Sequence, residues 1–450
     1  MTVDVGDLLA LGDRVVAWAQ EGEQVEVVVV HSRDTDIRSY EGEIEKLASA
    51  EAQGVGIRVI RDHKQGFAHA GTFGEDVLAE TLVEARDNAS FGTPDEHLGL
   101  AVPDGVAVAD LDLYRNDLAA FPTDKKVDLA VALERAVRAA DARISGVEAC
   151  DYSDSATVSA VVSTSGIRTG SRRTSSHLYV DALATANGET QTGFGFSVGR
   201  DPGELDVDVA AADAADRATR MLGATKPASE RLTIVLDPYV AAQFLSIVGG
   251  TLSAEAVIKG RSLFADRVGE EVGSPLLTFV DDPTDARAFS ATQTDGEGLA
   301  TRRNVLIDGG VLQGFAYDTY TARRLGAHST ASALRGYSST PSPGCRAMSL
   351  RPGEGTQAEL IAAIDDGILV QSVSGLHSGV NTVSGDFSTG AEGLRIRDGA
   401  VTEPVREFTI ASTIQRMLKD VQAVGADLEW LPMRAAGVTL VVADVTVSGE

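Results

Sequence analysis

The residues able to do chemistry in this chain are scattered. The seven histidines are His31, His63, His69, His97, His177, His328 and His377. None forms a short two-ligand spacing with a nearby acid of the His-Glu-x-x-His kind, so no zinc helix is written in plain form. His63 and His69 flank a polar turn and a short apolar run, which places them on the surface. Acids gather at Asp281-Asp282 and at Asp295 and Glu297. Two carboxylates can share general acid and base work, but acids in polar turns are far commoner. Glu255 stands among Ala254, Ala256, Val257 and Ile258, with Lys259 four residues on. That spacing and order make a helical ion pair, worth about 0.2–0.5 kcal/mol when exposed. There is no Gly-x-Ser-x-Gly elbow and no phosphate-binding lysine loop. Gly54-Val55-Gly56 lacks a dinucleotide fingerprint's third glycine and lies in a strand pattern.

The elements that must position these residues are legible from periodicity. Gln24 to His31 contains Val25-Glu26-Val27-Val28-Val29-Val30, a strand going from half to full burial. Gly56–Ile60 and Gly66–Thr72 follow as strands, with a turn at residues 62–65, and residues 75–89 have helical spacing. The stretch from Phe91 to Gly105, with Pro94 and Pro103, reads as a linker. A helix is expected over about 125–144, then an antiparallel meander from 146 to 199, with turns at Ser165-Gly166 and Asn187-Gly188. A helix over about 207–222 closes this part, and residues 226–230 make the clearest domain boundary.

Beyond that boundary comes a strand at 232–236. A helix then starts at Asp237-Pro238, where Asp suits the cap and Pro the first turn. Gly249-Gly250 is expected to interrupt that helix. After residue 275 the pattern is strands and hairpins, with turns at Asp308-Gly309-Gly310 and Asp398-Gly399 and a strand or strand pair from 438 to 447. The expected fold is therefore α+β. An N-terminal mixed α/β region in two subregions (1–100 and 101–225) precedes a mainly antiparallel β domain with a few helices (226–450).

Composition narrows the function classes. Asp and Glu number 66 against 39 Lys and Arg, a formal charge of −27. A phosphate backbone needs a basic face, so nucleic acid is an unsuitable partner. The densest basic cluster, Arg168, Arg172 and Arg173, suits a solvated strand edge or turn. Cys150 and Cys345 are too few for a disulfide framework and fit small buried residues. The first residues carry early acids and no basic segment, which argues against a signal peptide. No run of about 18 apolar residues exists, so no membrane span is expected. A cytoplasmic location follows as an expectation.

Several strings stand in order along the chain. They are Gly54-Val55-Gly56-Ile57-Arg58-Val59-Ile60, the stretch Arg303-Asn304-Val305-Leu306-Ile307-Asp308-Gly309-Gly310-Val311-Leu312-Gln313-Gly314-Phe315, and Ala322-Arg323-Arg324-Leu325-Gly326. Val383-Ser384-Gly385-Asp386-Phe387-Ser388-Thr389-Gly390-Ala391-Glu392-Gly393 and Pro404-Val405-Arg406-Glu407-Phe408-Thr409-Ile410 complete the set, which resembles the TldD/PmbA (TldE) family of metallopeptidase-related proteins. The resemblance implies that positions 254–259 correspond to a His-Glu-x-x-x-His zinc helix. Here they read Ala254, Glu255, Ala256, Val257, Ile258, Lys259. The glutamate persists, and both histidines are gone. A methyl cannot ligate, and an ammonium repels a dication. No histidine follows His377 and no cysteine follows Cys345, so the late cysteine ligand of zinc-bearing relatives is missing too.

The resemblance thus implies the PmbA/TldE branch: a subunit without metal, with zinc and general base supplied by a TldD-like partner. The pair would enclose a chamber for unfolded peptides or leader peptides. The glycine-rich segment from Ser374 to Gly393 is the candidate substrate surface, with Gly385, Asp386 and Ser388 able to present a strand edge. The same glycines equally suit tight turns in a β-meander. Two other readings stay open: a self-contained hydrolase with its own carboxylate or metal site, and a homodimeric peptide-binding protein.

Overall fold

The computed structural model describes residues 3–450. The N-terminal half begins with helix α1 (Val5–Val16), capped reciprocally by Asp4 and Asp7. Then come β1 (Gln24–Tyr40), β2 (Glu43–Arg61), β3 (Lys64–Ala70), α2 (Glu75–Phe91), α3 (Thr123–Ala140), β4 (Ile144–Ser163), β5 (Arg168–Ala186), β6 (Glu189–Gly199) and α4 (Val207–Thr219). The six strands form one sheet in the order β3-β2-β1-β4-β5-β6, antiparallel throughout. The two expected N-terminal subregions therefore share a single sheet.

Period-two side-chain alternation explains the apolar run in β1. Val25, Val27 and Val29 join Val55, Ile57 and Val59 beneath Leu8, Leu11 and Val15 of α1 and Leu78 and Leu82 of α2. Val28 lies on the opposite face and packs with Val161, Ile167, Leu299 and Ala331, so that face meets the C-terminal half. Further along the sheet, Leu133 and Val137 of α3 and Ala210 and Ala214 of α4 cover Tyr152, Leu178 and Val180. One face carries all four helices, and the other is the floor of the interface between halves.

Strands β1 and β2 run well past the expected segments, meeting in a two-residue turn where Glu41 and Gly42 have φ of 53° and 78°. Their far ends were unreadable because Glu43–Ala52 faces solvent and has no apolar period. Asp62 and His63 make the next turn, also at positive φ. The expected linker after α2 is a strap rather than a tether. Leu100 and Ala101 are buried, Arg323 donates to the Leu100 carbonyl at 2.9 Å, and Asp104 pairs with Arg302.

The C-terminal half runs through β7 (Glu230–Leu236), α5 (Pro238–Thr251), α6 (Ala254–Ile258), β8 (Phe279–Asp281), β9 (Asn304–Asp308), β10 (Val311–Leu312), α7 (Thr319–Leu325), β11 (Ala333–Leu334), β12 (Ser342–Pro343) and β13 (Met348–Leu350). It ends with α8 (Gln357–Ala362), β14 (Asp366–Ser374), α9 (Leu376–Gly379), β15 (Asp386–Arg397), β16 (Ala400–Thr413), α10 (Ile414–Lys419), β17 (Val421–Val424), β18 (Glu429–Trp430), β19 (Ala436–Gly437) and β20 (Leu440–Ser448). Strands β7, β14, β15, β16 and β20 close on themselves, because β20 pairs with β7 and also, at Thr446–Ser448, with β16. Only β7 and β14 are parallel. The closed wall surrounds a core of Ile234, Phe244, Leu245, Val370, Phe408 and Val442. Gly249-Gly250 does not interrupt α5. A Cβ on Gly249 would lie 2.1 Å from Met348 Sδ, so the glycine serves close packing inside the helix.

Candidate functional site

Helix α6, at the position of the implied zinc helix, is a single turn. Ser253 enters it in extended conformation, bridges Ala316, and donates its hydroxyl to the Pro343 carbonyl at 2.9 Å. Ala254 is fully buried. The Glu255 carboxylate meets Lys259 Nζ at 2.7 Å, with the two side chains 46% and 50% exposed. A methyl, an ammonium and one carboxylate already paired do not make a zinc donor set. Among the described residues no group of three or more His, Cys, Asp or Glu side chains is arranged to hold a metal. His31 is paired with Glu51 at 2.7 Å, and Cys150 and Cys345 are buried free thiols.

The segment from Ser374 to Gly393 folds back on its own strand. Residues 390–397 of β15 have β14 on one side, and β16 lies along the other. At Asp386–Ser388 the β14 side is filled by Val380 and Asn381. Val380 bridges Phe387, and the Asn381 N–H donates to the Asp386 carbonyl at 2.9 Å. A Cβ on Gly379 would sit 1.9 Å from the Ser388 carbonyl oxygen, so glycine there is what lets the loop approach. Gly385 has φ of 87°, and Ser384 Oγ donates to Asp386 Oδ2 at 2.6 Å. The structure thus supplies the turn reading of these glycines. The strand edge expected at Gly385, Asp386 and Ser388 is occupied by the chain itself.

The densest polar chemistry lies between the halves. Arg58 on β2 clasps Glu26 on β1 in a two-pronged ion pair, Nε to Oε1 at 3.1 Å and Nη2 to Oε2 at 2.9 Å. Arg335 reaches the same carboxylate through Nη1. Arg58 Nη2 is also 3.6 Å from Glu297 Oε1, and Glu297 Oε2 accepts from the Thr319 N–H and hydroxyl at 2.9 and 2.7 Å. All four charged side chains are at most 4% exposed. Burial opposes charge on Glu26, yet Arg58 and Arg335 hold its pKa below the ordinary value. Burial also dominates at Glu297, where Asp295, Asp318 and Glu26 add repulsion that Arg58 does not offset, so its pKa is pushed up. Burial and those neighbouring acids make Glu297 the carboxyl of the node that keeps its proton most readily.

Next to this node is a cavity of about 240 Å³, floored by β1, β4 and β5 and roofed by residues 292–296 and 335–337 with Arg346. Two glycines of the string at 54–60 seat its roof: Cβ atoms on Gly54 and Gly56 would lie 2.3 and 2.2 Å from the Tyr337 ring and carbonyl. The acids picked out by sequence do not form a free pair here. Asp295 lines the cavity but accepts from the Glu297, Leu299 and Ala333 N–H groups. Asp281 is 1% exposed and accepts from the Arg346 and Ala347 N–H groups at 2.8 and 2.7 Å, and burial pushes its pKa up to about 6. Asp282 accepts from Thr284.

Three family models together span most of the chain. They are the PmbA/TldA metallopeptidase domain 1 over residues 25–89, central domain over 116–222 and C-terminal domain over 229–449. The chain belongs to the PmbA/TldD (TldE) metallopeptidase family. Metalloprotease PmbA of Escherichia coli O157:H7 is 26% identical over 408 residues, covering 90% of this chain and 88% of that protein. A metalloprotease TldD homolog of Haemophilus influenzae is 28% identical over 382 residues, covering 82% and 78%. The solved TldE of Thermococcus kodakarensis shares the fold, with a TM-score of 0.89 over 99% of each chain at 24% identity.

In this PmbA/TldD-family chain the sequence missed the node and the cavity. Glu26 sits in an apolar run and Arg335 lies 309 residues away. The only local hint was a charged residue, Glu26, at an inward position of a buried strand, which demands a partner.

Proposed function

We propose that this chain is the non-metal-binding subunit of a TldD/TldE-type cytoplasmic peptidase, its zinc and general base supplied by a TldD-like partner. The observation that carries the reading is α6: within a metallopeptidase family, positions 254–259 offer no zinc donor set beyond Glu255, and Glu255 is paired with Lys259. Chemistry alone rules that turn out as a hydrolytic centre. The unfolded or leader peptide would be cut by the partner, and this chain would help enclose it. The self-contained hydrolase reading is weaker, because Asp281, Asp295 and Glu297 are buried and already hold hydrogen bonds.

The test uses the full-length chain, alone and mixed with a TldD-like chain. Elemental analysis after dialysis should find no stoichiometric zinc in the chain alone. An unfolded polypeptide should be cleaved only in the mixture. About one tightly held zinc per chain, or cleavage by the chain alone, overturns the proposal. Absence of any complex with the partner favours the homodimeric peptide-binding alternative.

A further inference from the structure

Two arginines lining the inter-domain cavity, Arg173 and Arg346, have no carboxylate within ion-pair distance, and a third, Arg434, is near enough to repel both. Arg173 comes from β5, Arg346 from the segment before β13, and Arg434 from the loop before β19. Among the described residues none of the three makes a side-chain ion pair, although most other arginines do. Burial, and repulsion from Arg173 and Arg434, pull the pKa of Arg346 down to about 10, so it stays charged at neutral pH. Arg335 also lines the cavity. Its side chain is 1% exposed, and its Nε and Nη2 have no hydrogen-bond partner. Buried guanidinium donors left unpartnered are costly, and they mark a place where a ligand completes the structure.

The rest of the lining suits an oxyanion. Ser159 and Ser171 place their hydroxyls 3.0 Å apart on neighbouring strands at the floor. Asp295 is the one acid in the lining, and its oxygens are taken by three backbone N–H groups. Arginine's planar fork matches carboxylate and phosphate alike. The chain as a whole carries a charge of −27, so an unpaired cationic pocket runs against its general field.

We propose that the cavity between the two halves is a binding site for a small oxyanion, carboxylate or phosphate, held by Arg173, Arg346 and the free edge of Arg335. The site does not depend on the peptidase reading and is testable without a partner subunit.

The experiment is calorimetric titration of the full chain at low salt with three probes: inorganic phosphate, N-acetyl-dialanine with a free carboxylate, and its C-terminal amide. Saturable 1:1 binding of phosphate or of the free acid is expected, with the amide bound at least about tenfold more weakly than the acid. Arg173→Gln and Arg346→Gln should each weaken binding about tenfold, the ratio expected on losing one charge-assisted hydrogen bond. Arg287→Gln removes an exposed arginine paired with Asp285 outside the cavity and should leave binding unchanged. Preference for the free acid identifies a peptide terminus or small organic acid, and preference for phosphate identifies a phosphorylated ligand. Absence of saturable binding, or equal weakening by Arg287→Gln, overturns the proposal.

Discussion

Replacing Arg58 by Met tests whether the buried node holds the two halves together. Arg58 is 4% exposed and makes two short bonds to Glu26, which is 1% exposed. Its Nη2 is also the nearest cation to Glu297, at 3.6 Å. Methionine keeps much of the volume and removes the charge. Glu26 retains Arg335, but Glu297 loses its counter-charge while buried. Breaking a buried pair from one side costs about 3–5 kcal/mol. The low end applies here, because Arg335 remains and Glu297 can take a proton. Glu297→Gln alone should change stability by less than about 1 kcal/mol, since the amide oxygen still accepts from Thr319. In the double variant there is no Glu297 carboxyl left to protonate, so the cost should be smaller than the sum. Urea unfolding at pH 7, followed by tryptophan fluorescence and circular dichroism, reads all four corners of this cycle. A second, earlier transition in Arg58→Met would mean the halves now unfold separately. If Arg58→Met costs less than about 1 kcal/mol, or the two changes simply add, the node is not a coupled buried network and the reasoning fails.

Glu255→Gln should change stability by only about 0.2–0.5 kcal/mol, as for an exposed helical pair, and should leave turnover of an assembled complex intact. A large loss of turnover with assembly preserved would make Glu255 catalytic. Asp281 has its pKa raised by burial from 3.8 to about 6, so the neutral form favours the fold. Its stabilising contribution is full below pH 3.8 and is lost as pH rises through about 6. The stability difference between wild type and Asp281→Asn should therefore shift by about 2 kcal/mol between pH 4 and pH 7, and a difference independent of pH refutes the assignment. Gly379→Ala drives a methyl to 1.9 Å from the Ser388 carbonyl. It should cost about 1–3 kcal/mol and expose residues 374–386 to protease, and a neutral result would mean the loop does not hold the β15 edge.

What the sequence disclosed was local, and what it concealed was long-range. The two-residue turn at Asn187-Gly188 was readable because only residues tolerant of positive φ fit there, and both have it, at 53° and 80°. The α5 start was readable because Asp237 caps the Tyr239 N–H and Pro238 sits where no donor is missed. By contrast, Gly249 was misread, since a glycine that serves packing against Met348 has the same letter as one that ends a helix. Closure of the β7–β14–β15–β16–β20 wall depends on three residues of β20 reaching β16, and no periodicity announces that contact.

The site follows the same division. That positions 254–259 hold a single possible zinc donor, Glu255, could be read directly, because ligand chemistry is a property of the residues themselves. Presence of a new constellation could not, because Glu26, Arg58, Glu297 and Arg335 converge only once the exposed face of the sheet meets the C-terminal half. A strand with Glu26 pointing toward a core must find a cation or remain neutral. Two arginines answer it, and the second brings unpaired nitrogens to the cavity edge. The node thus solves a packing problem at the seam and leaves a surplus of positive charge beside it. That surplus distinguishes the cavity from the turn at α6, where Glu255 and Lys259 cancel one another in solvent.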